Sequence, residues 1–410
     1  MDLRKEALVG PVTSANSFYR NLYTWFADFH IVGVSPIPDW LAYFLAGFII
    51  IFVVVNLIMV IVTLATWVER RVLGRFHARL GPNRWGPWGI LTPIADAIKL
   101  LTKEDTRPEG VDRWVFNIAP VLFIVPALLV FSVIPLGKNT YVANLNIGVL
   151  FIIAVPTVST IAIFMAGWAS GNRFSLFGAM RAVASLVSYE VPMVLSIVGV
   201  VLLAGSLSMV DMVEAQRIPF IVLQPLGFFI FFTAISAEMN RTPFDIVEAE
   251  SEIVAGYHTE YSGMKWGTFQ LAEFIAPFGA SAIMATLFLK GWEGPWLPSH
   301  LWFFIKVCFF WFLLLWLRAT IPRLRVDQIM GFAWKALFPL SILNLFVTAA
   351  EVLAWEDPTT GQLWIMAGIN WGVAIGSVVF FSRIAASKIS TRPPLAPRRE
   401  GERRVLRGVS

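Results

Sequence analysis

The sequence predicts an all-α polytopic membrane protein, and three observations carry that expectation. Mean hydropathy is +0.70, with 57% hydrophobic and only 14% charged residues, a composition suited to lipid. About nine apolar runs approach the roughly 20 residues that a helix needs to cross a bilayer. Of 32 Lys and Arg, 25 fall in alternate connecting segments and 6 in the others.

The first run, 41–67, follows about 40 residues that include charges. It reads as a spanning helix and not a cleavable signal peptide, and nothing before it resembles a transit peptide. Further runs lie near 117–136, 146–168, 182–205, 219–237, 268–289, 301–321, 334–354 and 364–382. Under the positive-inside rule the uneven split of basic residues sets the N-terminus outside and the C-terminus in the cytoplasm. Residues 1–40 then form an extracytoplasmic segment, 41–382 the membrane domain and 383–410 a basic cytoplasmic tail. The last stretch, 391–410, holds six Arg and two Glu, +4 of the formal +5 net charge. It reads as a disordered segment touching anionic lipid, with partner binding as the other reading. The lone cysteine, Cys308, lies inside the seventh run, so disulfides and cysteine-held iron–sulfur clusters are excluded within this chain. No internal repeat is visible, which weighs against transporter folds built from inverted repeats.

Three inner loops, 68–116, 238–267 and 318–335, carry the distinctive sequence. In the first, Gly81-Pro82-Asn83-Arg84 and Gly86-Pro87-Trp88-Gly89 are turn builders. Leu91 to Leu101 then has an apolar helical pattern with Asp96 and Lys99 three apart, which predicts a short helix along the membrane surface. The loop is either a plain basic juxtamembrane segment or the Arg-rich mouth of a cavity for a lipophilic ligand. Its glycines lack dinucleotide-fold spacing and follow no strand, so nucleotide binding is rejected.

The second loop is acidic. Between Glu238 and Glu273 lie seven of the chain's 27 acidic residues: Glu238, Asp245, Glu248, Glu250, Glu252, Glu260 and Glu273. Thr242-Pro243-Phe244-Asp245 reads as a helix N-cap, a first-turn proline and a capping acid, with the helix running to about Ala255 and stopping at Gly256. Arg241 is the only cation near the cluster before Lys265. Crowded carboxylates beside a low dielectric repel one another and disfavour ionisation, so some should exchange protons near neutral pH. The other reading is a solvated face that docks a basic partner.

Acids inside the spans continue the series. Glu190 sits mid-span in Ser188-Tyr189-Glu190-Val191-Pro192, and Glu273 lies near the inner end of the sixth run. A charge at a membrane helix centre costs roughly 2.5–3.5 kcal/mol on insertion scales, so it faces a partner or internal water. Pro192 and Pro277 free backbone carbonyls nearby; a protonated Glu bonded between helices is the other reading. Lys306 and Glu351, near outer helix ends, are expected to snorkel. In the third loop Arg318, Arg323 and Arg325 either fix topology or supply counter-charges to the acidic loop. The four histidines are scattered, no HExxH or CxxC occurs, and no metal site or catalytic triad is expected.

Taken together, these loops resemble the H-subunit family of respiratory complex I, NADH–quinone oxidoreductase, whose mitochondrial member is the first ND subunit. The resemblance is carried by Glu69-Arg70-Arg71, Gly81 to Arg84, Ala95-Asp96 with Lys99, Ser188 to Pro192, Ala237 to Glu252 and Arg318 to Arg323, within about residues 40–340. It implies a subunit at the elbow between a peripheral redox arm and a proton-pumping membrane arm, in the inner (plasma) membrane. By motif position Arg70, His77, Asp96, Arg318 and Arg323 would line or support a quinone chamber. Glu190, Glu238, Arg241, Asp245, Glu248, Glu250, Glu252 and Glu273 would form the acidic route to the proton channels. His77 and Thr92 stand where many relatives carry Gln, so the quinone type is not carried over.

The resemblance further implies that quinone is the substrate, that this chain binds no cofactor, and that iron–sulfur clusters and flavin reside in partner subunits. Those partners would be soluble iron–sulfur subunits on the cytoplasmic side and antiporter-like and small membrane subunits, with lipid around them and no nucleic acid. Coupling would be electrostatic: at an effective dielectric near 20, charges 4 Å apart interact by about 4 kcal/mol, or roughly three pKa units. Alternatives are a related ferredoxin- or hydrogenase-coupled complex, a stand-alone transporter, or a structural anchor for the soluble arm.

Overall fold

The computed structural model describes residues 39–138, 140–245, 255–355 and 358–390. Among them the architecture is a helix bundle: α1 (Asp39–Phe76), α2 (Thr92–Thr102), α3 (Arg113–Leu129), α4 (Gly148–Ala169), α5 (Arg173–Ala204), α6 (Met209–Ala215), α7 (Phe220–Leu223), α8 (Pro225–Glu238), α9 (Gly263–Phe288), α10 (Ser299–Thr320), α11 (Val326–Phe332), α12 (Phe338–Ala354) and α13 (Thr360–Ser390). The sole β feature among the described residues is an isolated bridge between Gly137 and Thr140.

Eight helices are long and apolar enough to cross a membrane, against about nine expected. The difference lies in the fifth run, which divides into the four-residue α7 and the 14-residue α8. Pro225 at the start of α8 has no N–H and disfavours helical backbone in the residue before it. Gln224 accordingly takes φ −130° and ψ 67°. The broken segment still runs from one end of the bundle to the other. Near its start Gln216 bonds the α9–α10 loop at Lys290 N (2.8 Å), and just beyond its finish Arg241 bonds Glu69 at the end of α1.

The sixth run, α9, is the axis of the bundle: 78% of its apolar core is buried, against 22–50% in the other spans. Glycines and alanines along it (Gly267, Ala272, Gly279, Ala280) let neighbouring helices approach closely. Outward faces stay apolar and exposed, as Phe44, Phe48, Phe52 and Leu64 of α1 do, which suits contact with lipid. The surface helix expected at Leu91–Leu101 is present as α2, residues Thr92–Thr102, with Lys99 and Asp96 paired at 3.2 Å.

Two expectations about outlying charges are corrected. Lys306 does not snorkel: its Nζ donates to the carbonyls of Leu289, Gly291 and Glu293 at 2.6, 2.9 and 2.6 Å, tying down the segment that follows α9. Glu351 is 5% exposed and accepts from Asn370 Nδ2 at 2.7 Å. α11 and α12 join through a π-helical turn at Ala333–Leu337. That turn presents Trp334 Nε1 to Ser188 Oγ at 3.1 Å.

Candidate functional site

The three distinctive loops meet at one end of the bundle. Their junction is Glu69, at the end of α1, whose side chain is 4% exposed. Arg241 Nη1 donates to both of its carboxylate oxygens at 3.1 and 3.0 Å, and Arg318 Nη1 donates to Oε1. One carboxylate thus binds an arginine from the second loop and another from the third. Arg241 is held further by the Phe274 ring, 5.2 Å from its guanidinium carbon, and by the main-chain carbonyl of Glu273. That carbonyl is open because Pro277, four residues later, has no N–H to fill it. Tyr257 Oη donates to the Glu273 carboxylate at 3.2 Å.

Around this junction the first loop folds tightly. The Gly89 backbone has φ 78°, and a Cβ there would meet Pro82 O at 2.4 Å, so the two Gly-Pro turns close on each other only with glycine at that point. Trp67 Nε1 donates to Trp88 O at 3.0 Å, and the Arg71 guanidinium lies 5.4 and 5.9 Å from the two indoles. Arg70 and Asp96 pair at 2.6 Å, linking α1 to α2. Partial burial would raise the Asp96 carboxyl, but hydrogen bonds and charge from Arg70 and Lys99 outweigh it and hold the group below its ordinary range. The first and second loops are clasped again by Lys265 on Asp105 (2.9 Å) and by Thr106 Oγ1 donating to Ser262 Oγ (2.9 Å).

The start of the acidic loop departs from the expected capping pattern. The Thr242–Pro243 peptide is cis, and Phe244 N donates to Arg241 O at 2.9 Å, so 241–244 form a turn and not a helix start. Residues 246–254, and with them Glu248, Glu250 and Glu252, lie outside the described residues. The loop re-enters at Gly256, φ 65°, with a single 3-10 turn through His258. Burial pushes the His258 imidazole down to about 4, leaving it neutral at ordinary pH. Asp245 pairs with Arg323 at 3.4 Å, so the third loop supplies counter-charge to the second.

The Ser188-Tyr189-Glu190 run radiates from α5 in three directions. Ser188 meets Trp334, Tyr189 Oη donates to Ile329 O at 2.9 Å, and Glu190 accepts from Thr157 Oγ1 of α4 at 2.6 Å. Glu238, the last residue of α8, stands within electrostatic reach of Glu190. Glu238, Asn240 and Glu273 line one end of a partly open cavity of about 120 Å³ between α3, α4, α5, α8 and α9. Its remaining wall is mainly apolar and includes Pro126 and Pro156, each a break in a helical hydrogen-bond ladder. Space of that size admits several water molecules.

Of the expected site residues, the structure gathers Arg241, Glu273 and Arg318 at Glu69, pairs Arg70 with Asp96 and Arg323 with Asp245, and sets Glu238 near Glu190. His77 is apart from these pairs, exposed in the turn after α1. Sequence reasoning missed Glu69 as the junction, hidden in a motif whose arginines drew the notice. Tyr257 and Thr157 were missed too, since each stands among other hydroxyl residues (Thr259, Tyr261 and Ser262; Ser159 and Thr160) and nothing local singles it out. Among the described residues no group of three or more His, Cys, Asp or Glu could hold a metal ion.

These features define a multi-pass helical membrane protein whose charged loops converge on a carboxyl-lined cavity. The NADH dehydrogenase family profile matches residues 49–349. The NADH-quinone oxidoreductase H subunit of Dehalococcoides mccartyi (strain ATCC BAA-2266 / KCTC 15142 / 195) is 52% identical over 345 residues, 84% of this chain and 96% of the relative. The H subunits of NADH-quinone oxidoreductase from Geobacter metallireducens and Geobacillus kaustophilus are each 47% identical, over 77% and 73% of this chain and 98% and 91% of their own. The chain belongs to the H-subunit family of NADH-quinone oxidoreductase, membrane subunits of complex I, and its partners are other subunits of that complex.

Proposed function

We propose that the charged end of the bundle forms the membrane-side wall of a quinone chamber and that its carboxyl groups pass protons from there into the membrane arm. The observation that carries this reading is the double bridge of Arg241 and Arg318 on Glu69. It ties the loop of Arg70 and Asp96 to the element ending in Glu238, so a charge change at the first is felt at the second. Reducing a quinone by two electrons creates negative charge that must collect protons. Fixed ion pairs nearby transmit the altered field to Glu238, Glu190 and Glu273, whose proton affinities then move together. The 120 Å³ cavity gives water a place to join those carboxyl groups.

In this reading quinone is the substrate and Arg70, Asp96, Arg318 and Arg323 support its chamber. The chain itself carries no cofactor; iron–sulfur clusters and flavin belong to partner subunits. The charged loops face the cytoplasm, where soluble iron–sulfur subunits dock, the antiporter-like subunits lie alongside in the plane of the inner (plasma) membrane, and the basic tail touches anionic lipid. The test is Glu190→Gln and Glu238→Gln in the assembled complex in closed vesicles, measuring NADH:quinone reduction and proton translocation. Both rates should drop together by about tenfold, the equivalent of roughly 1.4 kcal/mol. Unchanged rates in both variants would reduce the subunit to an anchor for the soluble arm. Activity of the isolated subunit in liposomes would instead favour a free-standing transporter.

A further inference from the structure

Away from the loops, α5, α8 and α12 bury a set of amides in the half of the bundle toward its opposite end. Gln224 and Asn344 are 0% and 1% exposed. Gln224 Nε2 donates to Gly199 O at 3.2 Å and to Thr348 Oγ1 at 2.8 Å, and Thr348 Oγ1 donates to Asn344 O at 2.8 Å. That chain fixes which way the Gln224 amide faces, since turning it over would set its oxygen against the Gly199 carbonyl. Gln224 Oε1 is left without a partner, as are Nδ2 and Oδ1 of Asn344 and Oε1 of Glu351. Gly199 and Gly227 admit the amides: a Cβ on Gly199 would stand 3.2 Å from Asn344 Nδ2 and 3.3 Å from Gln224 Oε1, and one on Gly227 3.1 and 3.3 Å from the same atoms. An unpaired donor and an unpaired acceptor therefore face one small space. Leaving such atoms unbonded among apolar helices is costly, and buried water, making about three hydrogen bonds, is the usual remedy.

The set is also directional. Asn344, Thr348 and Glu351 recur at helical spacing on one face of α12 and cover about 10 Å toward its end. Along α5, Gly199 lies about 13 Å beyond Glu190, with the buried Ser196 between them. We propose that Gln224, Asn344, Thr348 and Glu351 hold a chain of ordered water molecules, a polar half-path from the end of the bundle opposite the charged loops toward Glu190. The ligand is water and the traffic it admits is the proton. This goes beyond the function proposed above, which uses the charged end alone; only the pumping measurement below rests on that reading.

The direct test is cryo-electron microscopy of the assembled complex at a resolution that shows water. Density is expected within hydrogen-bond distance of the Asn344 amide and Gln224 Oε1. An Asn344 amide seated directly on Gln224 Oε1, with no density beside it, overturns the proposal. In closed vesicles, Asn344→Leu and Glu351→Gln should lower protons moved per NADH severalfold, while Asn344→Ser, polar and roomier, keeps the ratio. Glu190→Gln serves as the comparison. If it lowers both rates together while Asn344→Leu and Glu351→Gln leave the ratio unchanged, the half-path is wrong and the proposed function stands. If it too is without effect, that function fails, and the water density alone decides the site. Should Asn344→Leu not assemble, density in the parent and the Asn344→Ser complex decides in its place.

Discussion

Arg241 donates from Nη2 to the main-chain carbonyl of Glu273 at 3.1 Å, the carbonyl that Pro277 leaves without its helical partner. The same guanidinium grips Glu69 through Nη1. A proline inside a spanning helix would ordinarily be a loss of about 3 kcal/mol or more. Here the opened bond becomes an anchor for a cation that belongs to another loop. The break in α9 and the salt bridge at α1 are thus one structure, and it holds Glu273 next to the loop junction.

Glu69→Gln is expected to damage assembly more than any single change among the paired loop residues. It leaves Arg241 and Arg318 facing each other across a neutral amide. Breaking a buried ion pair by removing one partner costs about 3–5 kcal/mol, and the lower end applies because the Arg318 side chain is 34% exposed. Thermal melting of the solubilised complex and the amount of assembled complex per membrane check this. Melting unchanged from the parent would show that the two arginines do not depend on Glu69.

Asp96→Asn tests a pair of a different kind. The side chains of Arg70 and Asp96 are 44% and 32% exposed, so their stabilising effect is at most about 1 kcal/mol. The Asp96 carboxyl is held below the ordinary aspartate value of 3.8. A depressed carboxylate contributes stability above its unfolded pKa and loses it as pH falls through the folded one, so nothing changes between about pH 5 and 8. The variant should therefore melt like the parent and keep its pH profile across that window. If the chamber reading holds, the KM for quinone alone rises. A new titration near neutral pH would contradict the assignment.

The spans were legible because lipid leaves a helix few choices: long apolar runs, with charges at their ends, mark the bilayer in plain sequence. The surface helix around Asp96 and the gathering of the loops followed from pattern and charge asymmetry as well. Three things were not legible. The contacts at Glu69 join residues 172 and 249 positions apart, and no local period reports such pairs. Thr242-Pro243-Phe244-Asp245 satisfies a capping pattern, yet Leu324 N takes the Pro243 carbonyl at 3.1 Å and Arg323 takes Asp245, so the third loop competes for the groups a helix start would use. Glu351 looked like a helix-end charge because Asn370, its partner, lies on the next helix.

His258 gives a pH-dependent stability with a definite sign. Burial lowers its pKa from 6.5 to about 4. Below the unfolded value the unfolded chain binds a proton that the folded chain refuses, so stability falls as pH drops from 6.5 toward about 4, then levels off. His258→Gln cannot bind that proton in either state and should lose less stability over the same interval. Thermal inactivation rates of the complex, parent against variant at both ends of the interval, measure the difference. Equal acid sensitivity in the two proteins would place the acid-labile group elsewhere.

Asn172 does two jobs at the start of α5, and substitution separates them. Its Oδ1 accepts from Phe174 N at 3.0 Å, satisfying one of the open donors at the helix start, while its Nδ2 donates to Glu260 Oε1 at 2.8 Å. Asn172→Ala removes both bonds, with about 1 kcal/mol from the cap and about 1.5–3 kcal/mol from the hydrogen bond to a charged acceptor. Asn172→Asp keeps the cap and adds a charge that suits a helix N-terminus, but it sets a second carboxylate against Glu260. The melting temperature should fall for both, and high salt, which screens exposed like charges, should recover part of the loss for Asp and none for Ala. If Asp melts as the parent does, the bond to Glu260 contributes nothing, and the cap alone holds the entry of α5.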